Sequence, residues 1–358
     1  MLSSLDDLTA PLAQGEDLTS EQATKAAFLL AREEVPDSAK EGFLRALAQK
    51  GETATELAAF AAAFRSLARN PHLEAFAAGA IDVCGTGGDK QGTANLSSMT
   101  ALLIASAGVP VFKHGNRSIT SRCGSADFLQ ALGIPLEPSD EDLRQAMEEL
   151  NFVFFFAPVF HPAFKAIMPV RKKMAAAGER TIFNLLGPLI NPGRPGRQLL
   201  GVYQEGLVSL LGEALASLGT VEGVTAHCRL PEGGLDEIST AGTNVLYGFG
   251  AFQRLSGEVN PGDFGLPLAP VAELKGGELE ENLALFTALQ EDRAPAGLAH
   301  SLQLNAAYAL VVAGRCETVP EGMALAREQL VSGRLSAYLE KIRTFFADLG
   351  YGAEGRQG

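Results

Sequence analysis

Four short clusters carry residue types that can do chemistry together. In the first, Gly85-Thr86-Gly87-Gly88-Asp89 comes straight after a short apolar run, and Asn95-Leu96-Ser97-Ser98 opens a helical pattern a few residues later. Glycines let backbone N–H groups approach an anion without a Cβ in the way. A helix N-terminus adds unpaired N–H groups and the positive end of its dipole. The spacing matches neither G-x-G-x-x-G nor G-K-[ST], and taken alone such a loop is as readily a tight turn. In the second cluster, Lys113-His114-Gly115-Asn116-Arg117-Ser118 runs on through Ser121 to Gly124-Ser125 and again follows an apolar run. Lys113, Arg117 and the hydroxyls can hold phosphate oxygens. His114 and Asn116 can orient a planar polar ligand.

The third cluster is Gly233-Gly234-Leu235-Asp236-Glu237. Adjacent carboxylates in a glycine-rich loop suit Mg²⁺, a hard cation usually shared between protein carboxylates and substrate phosphates. Alone, an acidic surface turn is the commoner explanation. The fourth joins Pro169-Val170-Arg171 to Phe183-Asn184-Leu185-Leu186-Gly187-Pro188 and on to Pro192. Arg171 can clamp a carboxylate in bidentate fashion, or be an ordinary helix-surface charge. The Gly187-Pro188 corner can present an apolar wall to an aromatic ring. The other histidines, His72, His161, His227 and His300, have no metal-ligand spacing and read as structural. No Ser-His-Asp arrangement can be argued.

These clusters need elements to hold them. Residues 20–70 read as helices punctuated by Gly51, forming a small helical domain before Pro71. From residue 81 the pattern becomes strand, loop, helix, with strands expected at 81–84, 109–112, 152–156, 198–203, 221–227 and 244–249. Helices are expected at 97–107, 124–133 and 139–150, in pieces over 161–190, and across most of 280–349. Alternating strands and helices indicate an α/β domain with a largely parallel sheet. In such sheets ligands sit at the carboxyl ends of strands, where the first two clusters fall.

The chain has 358 residues, 46% of them hydrophobic, enough for a large core. Its net charge of -13 disfavours nonspecific nucleic-acid binding, which relies on Lys and Arg. Cys84, Cys123, Cys228 and Cys316 show no C-x-x-C spacing and read as reduced thiols in a cytoplasmic protein. No signal-peptide pattern and no membrane-length apolar stretch is found. The end of the chain, residues 351–358, is expected to fray.

Taken together, the order and separation of the clusters resemble the anthranilate phosphoribosyltransferase family over nearly the whole chain. The resemblance implies the fold of the nucleoside phosphorylase-like phosphoribosyltransferases, with a small helical domain (1–74, joined by returning helices 161–190) and a large α/β domain (75–160 and 191–358). It implies transfer of the phosphoribosyl group of phosphoribosyl pyrophosphate to anthranilate, releasing pyrophosphate, the second step of tryptophan synthesis from chorismate. By that resemblance Gly85, Gly88, Asp89, Thr93, Asn95, Leu96, Ser97 and Ser98 match donor-binding positions. So do Lys113, His114, Gly115, Asn116, Arg117, Ser118, Ile119, Thr120, Ser121 and Ser125. Ser97, Asp236 and Glu237 match magnesium positions. Gly85, His114, Asn116, Arg171, Gly187 and Pro188 match acceptor contacts. A homodimer through the helical domain is implied, with no nucleic-acid or membrane partner.

The chain departs from the family pattern in three places. Ser98 stands where Thr is usual, and the segments 172–179 and 228–233 are longer than usual. Two other readings compete. A pyrimidine nucleoside phosphorylase of the same fold would carry a Lys-x-Ser-Gly-Arg type motif where this chain has Lys113-His114-Gly115-Asn116-Arg117. A nucleic-acid-binding relative would be basic.

Overall fold

The computed structural model describes residues 4–117, 122–220 and 222–352. Its N-terminal part is a bundle of α1 (Leu5–Ala13), α2 (Ser20–Leu30), α3 (Asp37–Lys50) and α4 (Ala54–Ser66). Three of these helices start on capping boxes. Ser4, Thr19 and Thr53 each accept a bond from the third helical amide, and Asp7, Gln22 and Glu56 return one to the cap backbone. α1 lies ahead of the region where the apolar pattern marks helices; its signal is that Ser4–Asp7 box. The bundle closes around Leu8, Leu30, Phe43, Leu57, Phe60 and Phe64, and Ile167, Ile182, Phe183 and Leu186 of the returning segment enter the same core. That core continues onto one face of the sheet at Leu200, and through Val202 to Leu211 of the helix Val208–Ser217.

The sheet contains β1 (Ile81–Gly85), β2 (Val111–Gly115), β3 (Phe152–Phe156), β4 (Arg197–Gly201), β5 (Glu222–Arg229), β6 (Gly234–Leu235), β7 (Thr243–Phe249) and β8 (Gly257–Val259). Its order is β3-β2-β1-β4-β5-β7-β8, with β6 paired to β5. Strands β3 to β5 along that order are parallel. The pairs β5–β6, β5–β7 and β7–β8 are antiparallel. Short β6 and β8 are not marked by the sequence pattern, and the strand expected from residue 221 begins at Glu222, since Val221 lies outside the described residues. Helix Ala296–Val312 is buried along most of its length, as its lack of a polar stripe requires.

One boundary matters for function. The second strand begins at Val111, two residues later than the apolar run implies, because the Val109 amide bonds back to Ile104 and closes the preceding helix. Lys113, His114 and Gly115 are therefore the last residues of β2 rather than a loop. Ile81 pairs with Val111, so β1 and β2 end side by side and bring the first two clusters to one rim of the sheet.

Candidate active site

Gly85 and Gly201 are register partners at the ends of β1 and β4. A Cβ on Gly85 would overlap the Asp236 carboxylate, and one on Gly201 would overlap the Asp236 backbone. The two glycines thus cut the slot that Asp236 fills. Asp236 Oδ2 accepts a bond from the Gly87 amide at 2.6 Å. Gly87 and Gly88 hold φ of +70° and +84°, which an L side chain would strain. The loop is also tied to β4: Thr86 N–H donates to Gly201 O at 2.9 Å, and Thr86 Oγ1 accepts from Tyr203 N at 3.0 Å.

Charge in this slot is unbalanced. Asp236 and Glu237 are 8% and 9% exposed. Burial, and then the neighbouring Asp89 carboxylate, pushes Asp236 up to about 7. Burial and Asp236 hold Glu237 well above its ordinary value, against the pull of Lys113 and of the Ser97 N–H, which donates to it. One oxygen of Asp89 is buried without a partner. Lys113, 2% exposed, sits below the loop, its Nζ donating to Val83 O at 2.6 Å and Ser97 Oγ at 3.2 Å. Three carboxyls against one lysine leave a deficit of positive charge, and buried carboxylates without compensation are costly. The donors are oxygens, the Ser97 hydroxyl among them, and they suit Mg²⁺. Among the described residues no group of three or more His, Cys, Asp or Glu side chains makes a metal cage by itself. Mg²⁺ typically completes its shell with substrate oxygens and water.

The remaining donor positions divide. Asn95 caps no amide with its side chain; its Nδ2 reaches Cys123 O at 3.4 Å and its N–H reaches Asn282 Oδ1 at 3.0 Å. Thr93 bridges to Lys275. Leu96 and Ser98 are fully buried, the Ser98 hydroxyl without a partner. Ser125 Oγ donates to Asn116 O at 3.2 Å, and Gly115 leaves the space that Ser125 occupies. The Arg117 guanidinium is turned onto Asp127 and Gln130 of the following helix. Neither Lys113 nor Arg117 is thus the free loop cation that its position in the sequence implies. Ser118, Ile119, Thr120 and Ser121 lie outside the described residues.

A second pocket wall is built from His114, the 161–190 excursion and the Gly187-Pro188 corner. The His114 imidazole is buried against His161, ring centroids 5.1 Å apart, and interacts with the Gly187 backbone. Burial, His161 and Lys113 hold His114 well below its ordinary value, and burial drives His161 down to about 4. Both rings are neutral near pH 7. His114 Nε2 and both nitrogens of His161 are buried without partners. Arg171 is half-buried, its guanidinium 5.6 Å from the Phe164 ring and 5.2 Å from the Phe183 ring. Phe64 of the bundle packs on both rings. Burial lowers the Arg171 pKa, and no carboxylate pairs with it among the described residues. A planar carboxylate would find a cation, apolar rings and unpaired imidazole nitrogens here.

The corner itself is fastened from behind. Gln198 Nε2 donates to Pro188 O at 2.8 Å and Arg65 Nε to Leu189 O at 2.7 Å. Asn191 Nδ2 donates to Asp82 Oδ2 at 2.9 Å and Phe112 O at 2.8 Å, and Asn191 Oδ1 accepts from Gly193 N at 2.9 Å. Burial pushes the Asp82 carboxyl up to about 6. Sequence reasoning passes over His161, Asn191, Gln198 and Arg65. His161 and His114 are far apart in the chain, and only the sheet brings them together. The one local signal is Asn191 itself, a polar residue between Ile190 and Pro192.

The chain is similar to known proteins over most of its length. Residues 77–336 match the family described as glycosyl transferase family, a/b domain, and residues 6–68 match the glycosyl transferase family, helical bundle domain. The anthranilate phosphoribosyltransferase of Synechococcus sp. (strain JA-3-3Ab) is 41% identical over 343 residues, covering 95% of this chain and 97% of that protein. The crystal structure of anthranilate phosphoribosyltransferase from Thermus thermophilus matches with a TM-score of 0.83 at 40% identity, covering 95% of this chain and 99% of that one. The Saccharomyces cerevisiae enzyme in complex with PRPP and Mg matches with a TM-score of 0.82, covering 96% of this chain and 98% of that one; at 23% identity it shows the fold alone.

Proposed function

Because the chain belongs to the anthranilate phosphoribosyltransferase family, we propose that it transfers the phosphoribosyl group of phosphoribosyl pyrophosphate to anthranilate, releasing pyrophosphate. The observation that carries this reading is the adjacency of two unlike regions, joined where Arg180 Nη2 donates to Gly88 O. One is a glycine slot with surplus carboxylate charge; the other is an aromatic wall with an unpaired arginine. The first suits a metal-bound diphosphate and the second an aromatic carboxylate.

In this reading Asp236, Glu237 and Ser97 hold Mg²⁺, and the ion supplies neutralisation of the leaving diphosphate. Amides of the Gly85–Asp89 loop meet the phosphate oxygens. Arg171 takes the acceptor carboxylate, and Asn116 and His114 orient the acceptor, with Gly187 and Pro188 as its apolar wall. His161 belongs beside His114. The C1′–O bond to pyrophosphate breaks as the C1′–N bond forms, and the amine gives up a proton to water or to the departing pyrophosphate. An aromatic amine is already neutral near pH 7, so positioning and electrostatics supply most of the acceleration. Neutral imidazoles suit that task, since a second cation would oppose the positive charge developing on the ribose.

The division into 1–74 with 161–190, and 75–160 with 191–358, follows from the same reading. It also includes a homodimer through the bundle, where Phe28 is exposed on α2, and a cytoplasmic location. No described helix is long and apolar enough to cross a membrane. The test is the loss of anthranilate fluorescence with all components present and with phosphoribosyl pyrophosphate or Mg²⁺ omitted. Loss only in the complete mixture is expected. No loss in the complete mixture overturns the assignment.

A further inference from the structure

Arg180 is the residue through which the acceptor-side excursion touches the donor loop. It ends the long segment after Arg171 and directly precedes Thr181, whose amide is capped by Asn184 Oδ1 at 2.9 Å. Its Nη2 donates to Gly88 O at 3.3 Å. Its guanidinium carbon lies 4.0 Å from the centre of the Tyr203 ring. Tyr203 is fixed to the same loop, because its amide donates to Thr86 Oγ1 at 3.0 Å. On the other side the segment is anchored to the bundle. Arg45 donates to both Glu179 oxygens at 3.1 Å, and Lys173 Nζ to both Glu41 oxygens at 2.7 and 2.9 Å. A continuous path therefore runs from α3 through Glu179 and Arg180 to Gly88. Among the described residues no carboxylate pairs with Arg180, so the Gly88 carbonyl and the Tyr203 face are the partners that define its position.

We infer that Arg180 is a positioning residue that couples the two halves of the site. The Gly87-Gly88 backbone is permissive, and its ordering costs entropy whenever a diphosphate binds. Arg180 grips that backbone from a segment whose other end carries Arg171. An acceptor held by Arg171 stabilises the excursion in the conformation that presents Arg180. The loop is then partly ordered before the diphosphate arrives, and each ligand tightens the other by the same factor. The cation on the ring accounts for its placement: the stack holds the guanidinium plane while the N–H reaches the carbonyl.

The inference rests on the reading of the site as donor loop plus acceptor wall. Mg²⁺ with inorganic pyrophosphate serves as a donor-loop probe that cannot react with anthranilate. Calorimetry gives its affinity with and without saturating anthranilate. Wild type is expected to show a tightening of about fivefold, in the usual range for coupled sites. Arg180→Ala and Tyr203→Leu are expected to bring that factor to about one, with anthranilate affinity measured alone unchanged. Tyr203→Phe keeps the stacking face and should keep the coupling. An unchanged factor in Arg180→Ala, or no factor in wild type, overturns the inference. Absence of turnover from phosphoribosyl pyrophosphate and anthranilate in wild type would instead overturn the functional reading, so the two failures are distinguishable.

Discussion

Asp236 and Asp82 are both buried aspartates of the same α/β domain, Asp82 within β1 and Asp236 just after β6, yet the structure treats them differently. Asp236 lies in a slot cut by two glycines, takes one loop amide, and faces Asp89 and Glu237; its carboxyl is pushed up to about 7. Asp82 lies under the acceptor corner, with Lys113 favouring its charge and Asn191 donating to it; its carboxyl is pushed only to about 6. Asp236 has been left short of positive charge, while Asp82 has part of its compensation built in from Lys113 and Asn191, with its Oδ1 left without a partner. The donor slot is therefore short of positive charge, while the backing of the acceptor corner, from Asp82 to Asn191, is tied together by hydrogen bonds. Removing side-chain charge or hydrogen bonding should act in opposite directions in the two regions.

The largest expected effect is on the donor side. Asp236→Asn with Glu237→Gln keeps size and removes negative charge. Turnover should fall at least ~100-fold, the scale of a strong transition-state electrostatic contact. Steady-state rates at saturating Mg²⁺ check this, and rates near wild type would remove both residues from the metal role. The same double variant without ligands should unfold no more easily than wild type, because buried charges that repel one another have been neutralised.

Asn191→Ala sharpens the comparison from the acceptor side. It leaves Asp82 Oδ2, Phe112 O and the Gly193 amide without their partner. Buried groups stripped of hydrogen bonds typically cost about 1–3 kcal/mol, so urea denaturation should show a loss of roughly 2–3 kcal/mol. If Asn191→Ala proved no more destabilising than the carboxylate pair, the contrast between a hydrogen-bonded backing and a charge-deficient slot would not hold.

Much of this is legible in the amino-acid sequence alone. The glycine loop, the paired carboxylates and the alternation of strand and helix are local signals, and local signals survive folding. The donor glycines are readable only together with the other clusters, because a Gly-x-Gly-Gly run after an apolar strand is by itself as readily a tight turn. What stays hidden is what depends on approach between distant segments. The slot exists because Gly85 and Gly201, far apart in the chain, are register partners. Lys113 reads as a loop cation because the strand end is misplaced by Val109 and Pro110. Folded into β2, it supports the carboxylates from beneath. His161 carries no spacing signal, since its partner His114 lies on another element.

Arg171→Ala tests the acceptor wall in binding. A charged hydrogen bond is worth about 1.5–3 kcal/mol when lost, and part of Arg171 is exposed to solvent. The anthranilate KM should rise roughly 10-fold, with a smaller change in the donor KM. Aniline, which lacks the carboxylate, should bind poorly to wild type and be nearly insensitive to the change. Equal weakening of both acceptors would mean that another residue reads the carboxylate.

The smallest expected effect concerns protons on the acceptor wall. His161 is 5% exposed, packed against His114 and the Phe164 ring, and burial drives its pKa from 6.5 to about 4. As pH falls below 6.5 the unfolded chain takes up a proton at this residue while the folded chain does not. The stability from burying a neutral imidazole is thus fully present above about 6.5 and is lost as pH falls toward 4. Between pH 7 and 5.5 this one residue should account for about 1 kcal/mol. His114 acts in the same direction. Asp82, Asp236 and Glu237 act in the opposite one, because their folded carboxyls, raised to about 6 for Asp82, to about 7 for Asp236 and well above the ordinary value for Glu237, bind a proton before the unfolded ones do and gain stability over the same fall in pH. The wild-type slope is the difference of these contributions, so it cannot isolate His161. His161→Phe can, since it keeps an aromatic ring in the same packing and removes the titrating nitrogens. Urea denaturation of both proteins at pH 7 and 5.5 should show the variant losing about 1 kcal/mol less than wild type. Identical losses would mean that His161 takes its proton as freely folded as unfolded, and the acceptor wall would then carry a cation below about pH 6.5 where the structure has a neutral ring.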